Sequence, residues 1–169
     1  IADPMQERYM KHDISFEKVG LDHKEPIFSW LAAPHVQAFW DNTQAHKDDI
    51  INFIDGRKHP SPYAGGKYTY WVAKAGQQPF ALLMIIPNTA SDDINALQRA
   101  HVSTIGTSYG IDYMIGDTDY LGRGHGASTL SRFVDFIRAE IDPRADTFMI
   151  DPATDNPRAK HVHMKASLY

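Results

Sequence analysis

Glycines stand at alternate positions in Leu121-Gly122-Arg123-Gly124-His125-Gly126-Ala127, between a strand-like run, Ile111 to Gly116, and an amphipathic helical pattern. A strand that turns through glycines straight into a helix commits the chain to an α/β arrangement. In that helix Leu130, Phe133, Val134, Ile137 and Ile141 fall on one apolar stripe, which needs a sheet to pack on. Glycine lets backbone approach a ligand closely, and the unpaired N–H groups at a helix start carry partial positive charge. The geometry suits a pyrophosphate.

The rest of the chain supplies the other layers. Ser15 to Val19 reads as a short strand. Pro26 opens a helical stretch through Ile27, Trp30 and Leu31 that ends at Ala33-Pro34; a second runs from Val36 to Trp40, and a third from Lys47 to Ile54 closes at Gly56. The prolines and glycines of Lys58 to Gly66 mark an exposed connector. Tyr68 to Ala73 and Pro79 to Pro87 are rich in aromatic and branched residues, and the segment Lys74-Ala75-Gly76-Gln77-Gln78 between them predicts an antiparallel hairpin. Asn88 to Ser108 is an insertion with a short helix at Asp92 to Arg99. It leads to a strand in which Asp112, Met114 and Gly116 share one face and Ile111, Tyr113 and Ile115 the other. Thr147 to Asp151 is the next strand. Asp155 or Asn156 then caps a final helix with Pro157 in its first turn and with Ala159, Val162, His163 and Ala166 on its buried face.

Composition narrows the function. A chain of 169 residues is expected to form a single domain over 1–169, with residues 1–14 as an irregular N-terminal arm. A net charge of −4 and no Lys/Arg cluster argue against a nucleic-acid partner and for a cationic or neutral small molecule. The absence of cysteine excludes disulfides, thiolate metal sites and a cysteine nucleophile, and is compatible with a cytoplasmic location. No run approaches the roughly 20 apolar residues that span a bilayer, and Ile1-Ala2-Asp3-Pro4 has no signal-peptide profile. The chain does not begin with Met, so the natural start is expected upstream.

The glycine loop is not a P-loop, because no Gly-Lys-Ser/Thr ends it. Nor is it a dinucleotide fingerprint, because one residue rather than two separates Gly124 from Gly126. It resembles motif A of the GNAT acyltransferases, Gln/Arg-x-x-Gly-x-Gly/Ala, with Gly124 and Gly126 in the glycine places and Leu121 in place of the leading Gln/Arg. That replacement is shared by the aminoglycoside 6′-N-acetyltransferases, whose loop reads Leu-Gly-Lys-Gly-x-Gly. Three further segments are similar to the same branch: Trp30-Leu31-Ala32-Ala33-Pro34-His35-Val36-Gln37-Ala38-Phe39-Trp40, Gly110-Ile111-Asp112, and Asp151-Pro152-Ala153-Thr154-Asp155-Asn156-Pro157-Arg158-Ala159. The tryptophan and Pro-His-Val elements also resemble the siderophore-biosynthetic acyltransferases. The resemblance runs from about Ile27 to Tyr169.

It implies a mixed, mostly antiparallel twisted sheet flanked by helices, with a V-shaped split between central strands at Ile111 to Gly116. It also implies acetyl-CoA as cofactor, its pyrophosphate on Gly122, Arg123, Gly124, Gly126 and Ala127 next to Leu121, and its pantetheine arm on the strand backbone at Met114. Asn156 matches an asparagine that contacts the cofactor, or is a plain N-cap.

A carboxylate amid Ile, Tyr and Met is costly unless paired or facing a cleft, so Asp112 is either a site residue or a structural aspartate bonded to loop backbone. By resemblance it binds the acceptor amine and helps to deprotonate it. His163 stands where many GNAT enzymes carry the tyrosine that protonates the departing thiolate; a histidine has a suitable pKa, and a satisfied core histidine is the other reading. His161 and His163, two apart on a helix, diverge and make no metal pair, and no metal is expected. Asp151 matches a carboxylate that binds sugar amines, and Trp71 forms an apolar wall, whereas Met84 and Ile86 replace polar residues of the aminoglycoside enzymes. Trp30, Phe39 and Trp40 are read as core, or as a lid. Relatives continue past Leu168 into further strands, so C-terminal strands are expected to be missing from this chain or supplied by a partner.

The expected activity is N-acetylation of a primary amine on a small molecule, an aminoglycoside-like one for example, by direct attack on the thioester, in a monomer or homodimer. The alternatives are acylation of a siderophore-type hydroxylamine or a polyamine, and, in another class, a non-catalytic acyl-CoA-binding module.

Overall fold

The computed structural model describes residues 14–89, 96–121 and 124–150. Among these residues five strands, β1 (Ile14–Lys18), β2 (Thr69–Ala75), β3 (Gln78–Asn88), β4 (Thr107–Ile115) and β5 (Ala145–Met149), form one sheet in that order. β1 runs antiparallel to β2, and β5 runs parallel to β4, so the sheet is mixed. The helices are α1 (Lys24–Ala32), α2 (Pro34–Gln37), α3 (Gln44–Ile54), α4 (Ala96–His101) and α5 (His125–Phe136). No helix of the described residues is long and apolar enough to cross a membrane. Contacts gather the chain into two units. One is drawn from the segments up to Met84 and from Tyr113 to the glycine loop, the other from Ile85–Asp112 and from Gly124 onward.

In the first unit, Ile27 and Leu31 of α1, Val36 of α2, and Ile50 and Phe53 of α3 pack with Tyr70, Val72, Leu82, Met84 and Met114. Strand alternation explains the pairs Tyr70/Val72 and Leu82/Met84, and the helical spacing Ile27/Leu31 and Ile50/Phe53 meets them. Each of these apolar side chains contributes about 2 kcal/mol by leaving water. The hairpin turn is tighter than the composition suggests: only Gly76 and Gln77 separate β2 from β3, and Gly76 takes a φ of 61° that favours glycine.

α3 begins three residues before the expected Lys47, because Thr43 caps it by accepting from the His46 N–H at 3.3 Å. It ends through two left-handed residues, Gly56 (φ 85°) and Arg57 (φ 54°). Arg57 is held there by a two-pronged bond to the buried Asp49, at 2.8 and 3.1 Å, and by a third to the Tyr68 carbonyl at 2.6 Å. Tyr70 donates its hydroxyl to the same carboxylate at 2.6 Å. Burial pushes the Asp49 carboxyl up, but the bonds from Arg57, Ser61 and Tyr70 outweigh it and hold it below the ordinary value.

In the second unit, β4 begins at Thr107, four residues ahead of the expected Ile111. A serine anchors this stretch: Ser103 Oγ accepts from Gly106 N at 2.8 Å and donates to Asp146 at 2.7 Å, while Thr107 N donates to the Arg144 carbonyl at 2.9 Å. The stripe predicted for α5 buries Leu130, Phe133, Val134 and Ile137. Ile141 is only half-buried, because the helix relaxes into a π turn over Ile137–Ile141. Arg138 then closes on β5, bonding the Ala145 carbonyl at 3.1 Å and lying over the Phe148 ring at 5.1 Å. The β4–β5 register runs from Thr107↔Ala145 to Gly110↔Met149, so Asp112 lies beyond it.

Candidate active site

The end of β4 is tied down from three directions within the first unit. Gly116 and Asp117 both donate their N–H to the Phe80 carbonyl of β3, at 2.9 and 3.1 Å. Tyr120 stacks on the Phe80 ring at 4.4 Å. The Trp30 indole of α1 occupies the space in which a Cβ on Gly116 would sit. From α2, His35 Nε2 donates to the Ile115 carbonyl at 3.1 Å, which assigns the proton to that nitrogen. Trp30, Phe39 and Trp40 are partly buried and pack against the core.

From that anchor the chain enters the glycine loop in an Asx turn, Asp117 accepting from Asp119 N at 3.0 Å, and Leu121 follows half-buried as it bonds back to the Thr118 carbonyl at 3.1 Å. Gly124 is the N-cap of α5. It is exposed, left-handed at φ 76° and ψ 4°, and provides no side-chain cap. A Cβ there would meet nothing within 4 Å, so glycine answers a backbone requirement and leaves the helix start open. The 12-residue α5 starts without a side-chain cap, with Gly126 and Ala127 in its first turn, where backbone N–H groups point along the helix axis. An uncapped, open helix start with glycine at its entry fits a phosphate-bearing cofactor.

Asp112 is half-buried on β4. Two residues on, the Met114 side chain is 1% exposed in the core of the first unit, which leaves its backbone as the part able to meet a ligand. Tyr109 and Tyr113 alternate to the face opposite Asp112. Burial pushes both phenols up, that of Tyr109, which also donates to Asp142, to about 12, so both stay protonated near neutrality. Trp71 lies between Tyr70 and Val72 on β2, and alternation turns it away from the core that takes Met114; its Nε1 bonds Thr69 Oγ1 at 3.0 Å. Among the described residues no group of three or more His, Asp or Glu is placed to hold a metal ion.

Gly122, Arg123, Asp151, Asn156 and His163 lie outside the described residues, as do the final helix and the start of the short helix expected from Asp92. Sequence reasoning missed Asn88 and Gly110 as candidates. The available signal was an amide at a strand end, absorbed into the insertion from Asn88 to Ser108, and a glycine next to a strand pattern, read only as part of the Gly110-Ile111-Asp112 motif.

The family model of the acetyltransferase (GNAT) domain matches residues 21–168. No curated protein sequence matches the chain. Among solved structures the chain is similar to the aminoglycoside N(6′)-acetyltransferase from Legionella pneumophila, with 21% identity, 91% of this chain and 78% of that one covered, and a TM-score of 0.69. It is similar to the aminoglycoside acetyltransferase AAC(6′)-Ib solved with coenzyme A and kanamycin, at 20% identity, 91% and 83% coverage and a TM-score of 0.66. The spermidine N-acetyltransferase from Vibrio cholerae, solved with CoA and spermine, gives 14% identity, 90% and 79% coverage and a TM-score of 0.61. At such identities the shared property is the fold, a five-stranded mixed sheet with helices. With a family match that covers nearly the whole chain, this protein belongs to the GNAT acetyltransferases.

Proposed function

We propose that this chain transfers an acetyl group from acetyl-CoA to a primary amine of a small molecule. The observation that carries the reading is the uncapped, glycine-entered start of α5 downstream of a strand bearing a half-buried carboxylate, in a chain of the GNAT family. Gly122, Arg123, Gly124, Gly126 and Ala127 would hold the pyrophosphate through backbone N–H groups and the Arg123 charge, beside Leu121, with Asn156 as a further contact. The β4 backbone at Met114 would take the pantetheine arm. Acetyl-CoA supplies the activated acyl carbonyl.

The protein's own part is to hold and deprotonate the acceptor. Asp112 pairs with the ammonium form, orients the nitrogen, and takes its proton directly or through a water so that a neutral amine can attack. His163 is assigned the return of a proton to the leaving sulfur and Asp151 a contact to the acceptor, whereas Trp71, turned away from the core face that takes Met114, is given no acceptor contact. The solved neighbours that bind kanamycin and spermine support a cationic acceptor, as does the net charge of −4.

Calorimetric titration of acetyl-CoA tests the first half. Wild type is expected to bind, and Gly124→Asp to bind at least tenfold more weakly, because aspartate tolerates a left-handed backbone but sets a carboxylate where the phosphate belongs. No binding by wild type would sink the proposal. For the second half, Asp112→Asn is expected to lower kcat about 100-fold or more in a thiol-release assay. Unchanged turnover would remove Asp112 from its role.

A further inference from the structure

Asn88 is the last residue of β3 and only 9% exposed, an expensive place for an amide unless something uses it. Across from it stands Gly110 of β4. A Cβ on Gly110 would sit 3.0 Å from Asn88 Nδ2 and 3.2 Å from Ile86 Cγ2. Gly110 is not among the residues with positive φ, so its backbone does not require glycine. What requires it is the room taken by the Asn88 amide. Alternation places Gly110 and Asp112 on one face of β4, about 7 Å apart, and Ile86 and Asn88 on one face of β3. An amide and a carboxylate therefore occupy neighbouring positions on one face, with the Ile86 side chain next to the amide.

We propose that Asn88 is a second contact for the acceptor, its amide bonding a hydroxyl or second amine carried a few bonds from the nitrogen that Asp112 holds. The inference rests on the acetyl-transfer reading. A carboxylate recognises the ammonium, whereas an amide, with one acceptor oxygen and two N–H donors, recognises a neutral or donor group and discriminates against plain alkyl. The substrate class is thus an amino alcohol or a diamine with a short spacer, rather than a simple alkylamine. Gly110 keeps the amide in place by offering no side chain to displace it.

Steady-state kinetics with the matched pair ethylamine and ethanolamine, and with kanamycin and spermine, test this alongside acetyl-CoA affinity. Wild type is expected to show a KM for ethanolamine about five- to tenfold below that for ethylamine, the effect of one ordinary hydrogen bond. Asn88→Ala should erase that ratio while kcat and the acetyl-CoA dissociation constant stay within about twofold, the range left when one contact is lost. Gly110→Ala should erase it too, by pushing the amide aside. An unchanged ratio in Asn88→Ala overturns the inference, and so does a joint loss of kcat and acetyl-CoA affinity, the mark of a structural role. Should Asn88→Ala fail to fold, the isosteric Asn88→Asp decides: spermine should gain over ethanolamine, and an unshifted preference overturns the inference. Turnover of no acceptor by wild type would be a different result, overturning the acetyl-transfer reading and this inference with it.

Discussion

Asp49 and Arg57 show what one buried pair does in this molecule. The carboxylate is fully buried, with a guanidinium fork on one side and the Tyr70 hydroxyl on the other. Removing the cation alone leaves a buried charge uncompensated, so Arg57→Met is expected to cost about 3 kcal/mol in urea unfolding at neutral pH. Because the folded carboxyl lies below its unfolded value, the stability it contributes is complete above the unfolded pKa, about 3.9, and is lost as pH falls through the folded one. The deficit of Arg57→Met should therefore shrink in acid. A deficit independent of pH would show that the lost packing on Phe53, which the guanidinium covers at 5.4 Å, is the larger effect. This pair was not legible in the sequence. Its two members are eight positions apart, and it is the left-handed turn at Gly56 and Arg57 that brings them together.

Among the elements, β4 carries the site, and its end is set by what presses on it. Gly116→Ala should cost about 2 kcal/mol, since the new methyl must displace the Trp30 indole rather than the end of a flexible chain. Combining it with Trp30→Leu, which vacates that space, should recover more than 1 kcal/mol of the summed losses in a double-mutant cycle. Additive costs would mean that the two do not meet.

The same contact accounts for sequence readings that stayed open. Trp30 and the Pro-His-Val segment were visible as a motif, but their role as clamps on Gly116 and Ile115 depends on α1 and α2 reaching a strand some 80 residues away. The α5 stripe was legible because helical period depends only on local spacing. The start of β4 was not, because Thr107-Ser108-Tyr109-Gly110 lacks an apolar alternation and becomes a strand through pairing with β5.

For the whole molecule, β3 and β4 each contribute residues to both units, so at these points the chain passes from one unit to the other within a strand. One cooperative unfolding transition is expected. The three tryptophans, at 30, 40 and 71, all report on the first unit, so their fluorescence midpoint in denaturant should coincide with loss of amide-exchange protection in α5 of the second. Exchange of α5 at a distinctly lower free energy would show that the second unit opens alone.

The sequence by itself determined the strand, glycine loop and helix, the apolar stripes and the family, because each rests on spacing along a contiguous segment or on motifs in order. The tertiary structure decided which side chains share a face and which spaces are already filled: Trp30 in the place of a Cβ on Gly116, Met114 in the core, Asn88 over Gly110. Those outcomes depend on register between strands and on residues far apart in the chain, and no local pattern encodes where a neighbouring strand will put its side chain.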